Sequence, residues 1–319
     1  MRRAVALPVV VAGALASFAC GVSAQNAPTL RAVCLAAGGV DAVCLSTALA
    51  VQALLGHVGG AAGLGSDVPG TASNLGMRLG TNPRVSVALR ASGRRVSMPL
   101  LSDPTGIGRK TFTVPAYHAT IAVGLLDGFR IMPTVGGFLS IDVFGQVSII
   151  SVHESRGLGD RVTAYSVGAR IGLVREGFTV PGVSMSVARR IIDSATNGAT
   201  DMGDAAQFSI DPSVTSVRAT VGKDLYGVEV MAGFGWESYY TDAVIGVIDG
   251  QGGLAVGRAP LDVSRALYFV GGGMTFRVVL SASVEVGFAQ GYDPLPGYVG
   301  AYDARGRTPF GTLAFRLTI

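Results

Sequence analysis

Charge is scarce in this chain, and so are long apolar runs. Asp, Glu, Lys and Arg make up 14% of its 319 residues against 49% apolar residues, a balance that excludes a disordered chain. Past the N-terminus no stretch of about 20 residues is free of polar or glycine interruptions, so a bundle of spanning helices is excluded. Aromatics are thin at 7%, and there are only three Cys and three His. Glycine is plentiful, with 46 residues, yet it lacks the three-residue period of collagen. A mean hydropathy of +0.47 is nevertheless high for a water-soluble protein. What remains is a membrane protein made of strands.

Arg2 and Arg3 precede an apolar run from Ala4 to Ala19, and Val22-Ser23-Ala24 fits the small-residue cleavage rule. Residues 1–24 therefore read as a cleaved signal peptide, with the exported chain starting at Gln25. A lipoprotein reading through Cys20 is disfavoured by Ser17, which stands where Leu is usual. Losing two arginines with the leader brings the formal charge of +4 closer to neutral, so the sequence gives no push toward nucleic acid. In an oxidising compartment Cys34 and Cys44 read as a disulfide, with two inert buried thiols as the alternative. On one straight helix they would lie about 15 Å apart, so the bond needs a bend, which Gly38-Gly39 could supply. No spacing of Cys or His suggests a metal site, and no cofactor is expected.

Alternation is the central signal. A strand with lipid on one side and a lumen on the other places every second side chain in hydrocarbon, over roughly ten residues. Val85, Val87 and Leu89 alternate with Ser86, Ala88 and Arg90, and the same period recurs along the chain to Leu313, Phe315, Leu317 and Ile319. The spacing predicts an all-β antiparallel transmembrane barrel over residues 81–319, of about ten strands, with eight to fourteen compatible. The connectors alternate in length. Long ones fall at 93–115, 151–161, 192–213, 240–264 and 291–308, and short ones at 127–137, 175–182, 223–224 and 277–279. Long outer loops, short periplasmic turns and both chain ends in the periplasm are the expected arrangement. Pro83, Pro115, Pro181, Pro212 and Pro309 fall just before strands, where a missing N–H breaks no ladder. Outward Tyr117, Tyr165, Trp236 and Phe288 fall toward the outer rim, and Tyr226 and Phe276 toward the periplasmic rim, as two interfacial belts. A soluble β-sandwich also alternates, but its strands usually run five or six residues and its outward faces are polar.

The last ten residues, Phe310-Gly-Thr-Leu-Ala-Phe-Arg-Leu-Thr-Ile319, resemble the terminal strand of bacterial outer-membrane β-barrel proteins. That resemblance implies an outer-membrane location, contact with its lipids and recognition by the barrel-assembly machinery. The chain departs from the pattern by ending in Ile319 rather than an aromatic, with Phe315 the nearest outward one.

Residues 25–80 do not read as spanning strands. Asp41 can cap a helix from Ala42 to about Leu55, ended by the glycine-rich stretch 56–65. That helix is apolar nearly all round, and at about 21 Å it is too short to span, so protein must bury it. It is expected as a plug, loosely resembling the N-terminal hatch of fatty-acid-transport-type barrels, or as a periplasmic cap. Leu75, Met77 and Leu79 continue the odd-numbered alternation, lengthening the first strand or forming another.

The same parity turns Arg84, Arg90, His118, Asp142, Gln146, Arg170, Arg190, Arg218, Glu229, Glu285 and Arg316 into the lumen. On the lipid side each Arg near the midplane would cost about 2–4 kcal/mol, so their shared inward parity supports the register. They either form a pairing network that stiffens the barrel or line a polar conduit with mild anion preference. Arg189 faces outward near a rim, where it can snorkel. Gly106-Ile-Gly-Arg-Lys-Thr111 misses a phosphate-binding loop by one glycine, and no GxSxG or HExxH motif occurs. His153 and Glu154 with Asp201 and Asp204 are a weak match to omptin-type loops, His118 has the wrong parity for a barrel lipase, and His57 reads as a C-terminal helix cap. The leading functional expectation is passive passage of small solutes, apolar or anionic. The rivals are a closed, adhesin-like barrel acting through its loops, to which the apolar hairpin Ala243–Val256 would contribute, and, remotely, a hydrolase.

Overall fold

The computed structural model describes residues 27–319 apart from 79–81, 104, 131–135, 152–160, 250 and 277–278. The signal peptide, Cys20, Leu79, His153 and Glu154 lie outside the described residues.

Two helices come first, α1 (Ala27–Ala36) and α2 (Asp41–Ala61). A small antiparallel pair follows, β1 (Met77–Arg78) with β2 (Asn82–Pro83). The first half of the wall comprises β3 (Val85–Pro99), β4 (Arg109–Leu126), β5 (Ser140–Ser151), β6 (Arg161–Val174) and β7 (Gly182–Ile192). β8 (Ala195–Asn197) and β9 (Ala206–Ile210) are short strands in one connector. The second half comprises β10 (Ser213–Leu225), β11 (Val228–Ile248), β12 (Leu254–Phe276), β13 (Leu280–Ala289) and β14 (Thr308–Thr318). Each wall strand pairs antiparallel with its chain neighbour, β7 with β10 across the β8–β9 excursion, and β14 returns to β3. The result is a closed barrel of ten strands, as the alternation predicts. Closure leaves no unpaired edge along the wall.

Parity holds around the whole wall. Outward Leu89, Val167 and Val270 are 63, 67 and 57% exposed, while inward Arg90, Asp142 and Arg218 are buried. The apolar outer band has a limit. Along β3 the outward series runs Val87, Leu89, Ala91, Gly93 and then Arg95, and along β12 it runs Met274, Gly272, Val270, Tyr268, Ala266 and then Ser264 and Asp262. About ten residues of each strand thus cross the apolar band, the length a tilted spanning strand needs. Tyr117 and Tyr165 are exposed on the outward face, and Phe288 stacks on Tyr268 with centroids 5.3 Å apart.

Several expectations are corrected. The connectors 93–115 and 240–264 are largely not loops, because β3, β4, β11 and β12 stay paired well beyond the band, as far as Ile248 against Leu254. Strands can continue there because the inward faces of these extensions, with Leu261, Val263 and Ala259, are buried against the helices. The turn expected at 223–224 is Tyr226-Gly227, both with positive φ (58° and 89°), the conformation that matches the twist of a two-residue hairpin. Leu75 and Met77 do not lengthen β3: Met77 opens the separate β1–β2 pair and Leu75 is buried. α2 begins at Asp41, which makes no cap bond and instead pairs with Arg31 at 2.7 Å. It runs through Gly56, Gly59 and Gly60 to Ala61, six residues past the expected end. The glycines do not stop it because their bare faces admit neighbours: an added Cβ at Gly60 would meet the guanidiniums of Arg94 and Arg265. Tertiary packing outweighs the helix penalty of about 1 kcal/mol per glycine.

α1, which the sequence did not reveal, packs against α2 across a bend at residues 37–40, with Gly38 at φ 85°. The Cys34–Cys44 disulfide closes that bend over a Cα separation of 5.4 Å. Val33 lies beside Gly257 and Gly38 beside Asp249, so the helical pair sits at the long-connector end. The described chain therefore enters at the end opposite Ile319, not beside it, and the segment is not a cap under the short turns.

Candidate functional site: the filled lumen

Below α2 the chain has no regular structure from residue 62 to 76, and it descends through the barrel to the short-turn end. Such a backbone carries amide and carbonyl groups that secondary structure does not satisfy, and in a buried setting each must find a partner. The inward side chains of the wall provide them. Arg94 and Arg265 donate to the Gly56 carbonyl at 3.1 and 2.7 Å. Gln146 reaches Ala62 O at 2.8 Å, about half-way along β5. Arg218 donates to Gly63 O and, at 2.5 Å, to Gly65 O, while Arg90 donates to Leu64 O and Ser66 O at 2.6 and 2.7 Å. Further down, Arg316 holds Pro69 O at 3.0 Å, and Arg170 holds Thr71 O and Ser73 O at 3.1 and 2.9 Å. Acids take the amides: Glu285 accepts from Ser66 N, Glu229 from Ala72 N and Asp142 from Leu75 N, at 2.7 to 2.9 Å.

Most of the residues assigned to the lumen thus meet on one ligand, the protein's own N-terminal segment. Arg84 and His118 stand apart. Arg84 precedes β3 and is exposed at the short-turn rim, where it reaches Leu75 O at 3.4 Å, because the wall begins one residue later. His118 does face inward, with Nε2 and Nδ1 each 2.8 Å from a serine hydroxyl, those of Ser92 and Ser148. His57 does not cap a helix end; it lies within α2 and bonds Ser97 O at 2.9 Å. Asp201 and Asp204 sit in the β8–β9 connector, where Asp204 accepts from Ala199 N. Among the described residues no group of three His, Cys, Asp or Glu is placed to hold a metal.

Four further residues of the lumen were not expected there from the sequence. Asp67, on the threading segment itself, pairs with Arg190 and Arg218 at 3.0 Å each and accepts from Ser186 at 2.5 Å. Glu237 pairs with Arg218 at 2.7 Å and lies 3.6 Å from Arg190. Arg94 and Arg265 complete the set, the latter 4.8 Å over the Tyr239 ring. Arg94 shares the parity of Arg90 just past the expected end of its strand, and Glu237 shares that of Glu229 within its strand, so the same inward parity extends to both.

A closed antiparallel cylinder, a belt of exposed apolar residues about ten deep, and a polar interior are now in place. The architecture is that of an outer-membrane β-barrel. No family model matches the chain, and no curated protein matches it. Among solved structures the barrel is similar to the translocator domain of autotransporter NalP from Neisseria meningitidis, at 9% identity and TM-score 0.40 over 74% of this chain and 88% of that one. It is also similar to the attachment invasion locus protein Ail of Yersinia pestis, at 6% identity and TM-score 0.28 over 74% and 99%. The N-terminal barrel domain of Pseudomonas aeruginosa OprF gives 9% and 0.27 over 73% and 97%. At these values the likeness extends to strands wound into a barrel and no further.

Above the apolar band the barrel carries a crown built from the extended hairpins, α1, the β8–β9 connector and the segment 290–307. It exposes apolar side chains to solvent, among them Val40, Met202, Val256 and Val299. Within it Tyr292 and Tyr302 are buried, and burial pushes both hydroxyls above the ordinary tyrosine range, so they stay protonated.

Proposed function

We propose that the protein is an outer-membrane barrel held closed by its own N-terminal segment, acting as a structural or surface-contact element through its crown. The long-connector end then faces outward and the short turns face the periplasm, with outer-membrane lipids around the wall. The terminal strand β14 is the segment offered to the assembly machinery.

The supporting observation is the set of arginines on the main chain of residues 56–73. Passage of a solute, apolar or anionic, would require withdrawing that segment and leaving the guanidiniums and carboxylates of the wall without partners, at about 1–3 kcal/mol or more each. A conduit is therefore the less favoured reading. A hydrolase gains no support from His118, both of whose nitrogens are engaged by serines beneath the filled lumen.

Planar-bilayer recording tests this reading. The intact barrel is expected to stay silent, and deletion of residues 27–76 is expected to produce stepwise conductance through the vacated lumen. Steady conductance steps from the intact protein would overturn it in favour of transport.

A further inference from the structure

We propose that the outer wall formed by β14, β3 and β4 carries a seat for one phosphate-bearing membrane lipid, its acyl chain in an apolar groove and its head in a cationic cleft directly above. The inference rests on the reading of the wall as membrane-spanning.

The groove comes from the residue sizes. On adjacent strands Leu313, Ala91 and Tyr117 lie side by side, and Leu89 sits beside Phe315 and Ala119. The two outward alanines leave a trough of about 380 Å³ between these larger side chains. Going up the same strands, Gly93 stands between Gly311 and Pro115, so no large side chain interrupts the path. The next outward residue of β3 is Arg95, the first charge above the band.

Arg95 shares a cleft of about 300 Å³ with Arg109 at the start of β4 and Arg307 just before β14. Arg307 also lies 5.1 Å over the ring of Phe288 at the outer rim. Among the described residues Asp303 is the one acid lining the cleft, against three arginines, so the described lining is net positive. Deeper in, the cleft is lined by His57 and Tyr292, buried to 4 and 5% exposure. His57 Nδ1 and the Tyr292 hydroxyl have no hydrogen-bond partner among the described residues. Polar atoms so buried normally find a partner, and both residues line the deep end of the cleft. With Nε2–H given to Ser97 O, Nδ1 is left to accept, while the tyrosine can donate. That pair suits the hydroxyl and phosphate oxygens of a lipid head. Guanidiniums spaced around a cleft are the usual partners of phosphate, and apolar chains fill the trough below at no polar cost.

Native mass spectrometry of the detergent-extracted barrel, with phosphatidylglycerol, phosphatidylcholine and inorganic phosphate as probes, tests the seat. One phosphatidylglycerol is expected per barrel, with phosphatidylcholine weaker and inorganic phosphate not retained. The triple variant R95Q/R109Q/R307Q is expected to weaken phosphatidylglycerol at least about tenfold. Ala91→Phe, which fills the trough, should weaken it as well, and Arg189→Gln, an outward arginine elsewhere on the wall, should not. Unchanged binding in the triple variant or in Ala91→Phe would overturn the proposal, as would equal retention of inorganic phosphate. Heat-dependent gel mobility checks the fold of each variant. A barrel without that mobility shift would count against the membrane reading itself, whereas a heat-modifiable barrel indifferent to these changes would overturn the seat alone.

Discussion

Asp67 shows what single residues do here. It is a carboxylate on a strand-free segment, almost wholly buried and held between Arg190 and Arg218. A buried pair contributes little compared with an apolar substitute, but removing one member strands the other. Asp67→Asn is therefore expected to destabilise the folded barrel by about 3–5 kcal/mol, measured by urea unfolding in micelles with Trp236 fluorescence as the signal. Most of the mid-wall arginines were legible from parity, since an inward register is the low-cost place for them there. Their acid partner was not, because a glycine-rich stretch without a period gives no indication of which way a side chain points. Arg84 shows the converse error, parity carried one residue beyond the strand.

Among the elements, the helical pair departs most from what the sequence could show. α1 is only ten residues long, and Gly56, Gly59 and Gly60 argue locally against continuing α2. Both hold because they are packed: nineteen of the twenty-one α2 residues are buried, against the crown strands and the inward arginines. The disulfide, by contrast, could be read from two cysteines, a glycine pair and an exported chain. Closing a loop of this length stabilises by about 2.7 kcal/mol in the chain-entropy account. Reduction is expected to loosen α1 without unfolding the wall. Limited trypsin digestion should then cut at Arg31 in reduced protein and spare it in oxidised protein, with the heat-modifiable barrel band unchanged in both.

For the whole molecule, the signal lay in repetition. One alternating decapeptide is compatible with a sandwich, but ten in series are far more than a sandwich needs, and the closed wall follows. What the period could not show was where each strand ends, because β11 and β12 keep alternating after the outward residues change from lipid-compatible to polar. The apolar band makes its own prediction. Val143→Arg, at an outward mid-wall position, is expected to cost about 2–4 kcal/mol of folding stability in bilayers, whereas Thr111→Arg, above the band, should cost little. Unfolding titrations of the two variants in vesicles check the contrast.

The position of the disulfide-closed helices has a consequence for assembly. They lie at one mouth of the cylinder, β3 continues from the other, and the irregular segment between them passes through the middle, like a rivet with a head on one side. A rivet of that shape cannot be slid in after the hole is finished. The wall is therefore expected to close around a thread already in place.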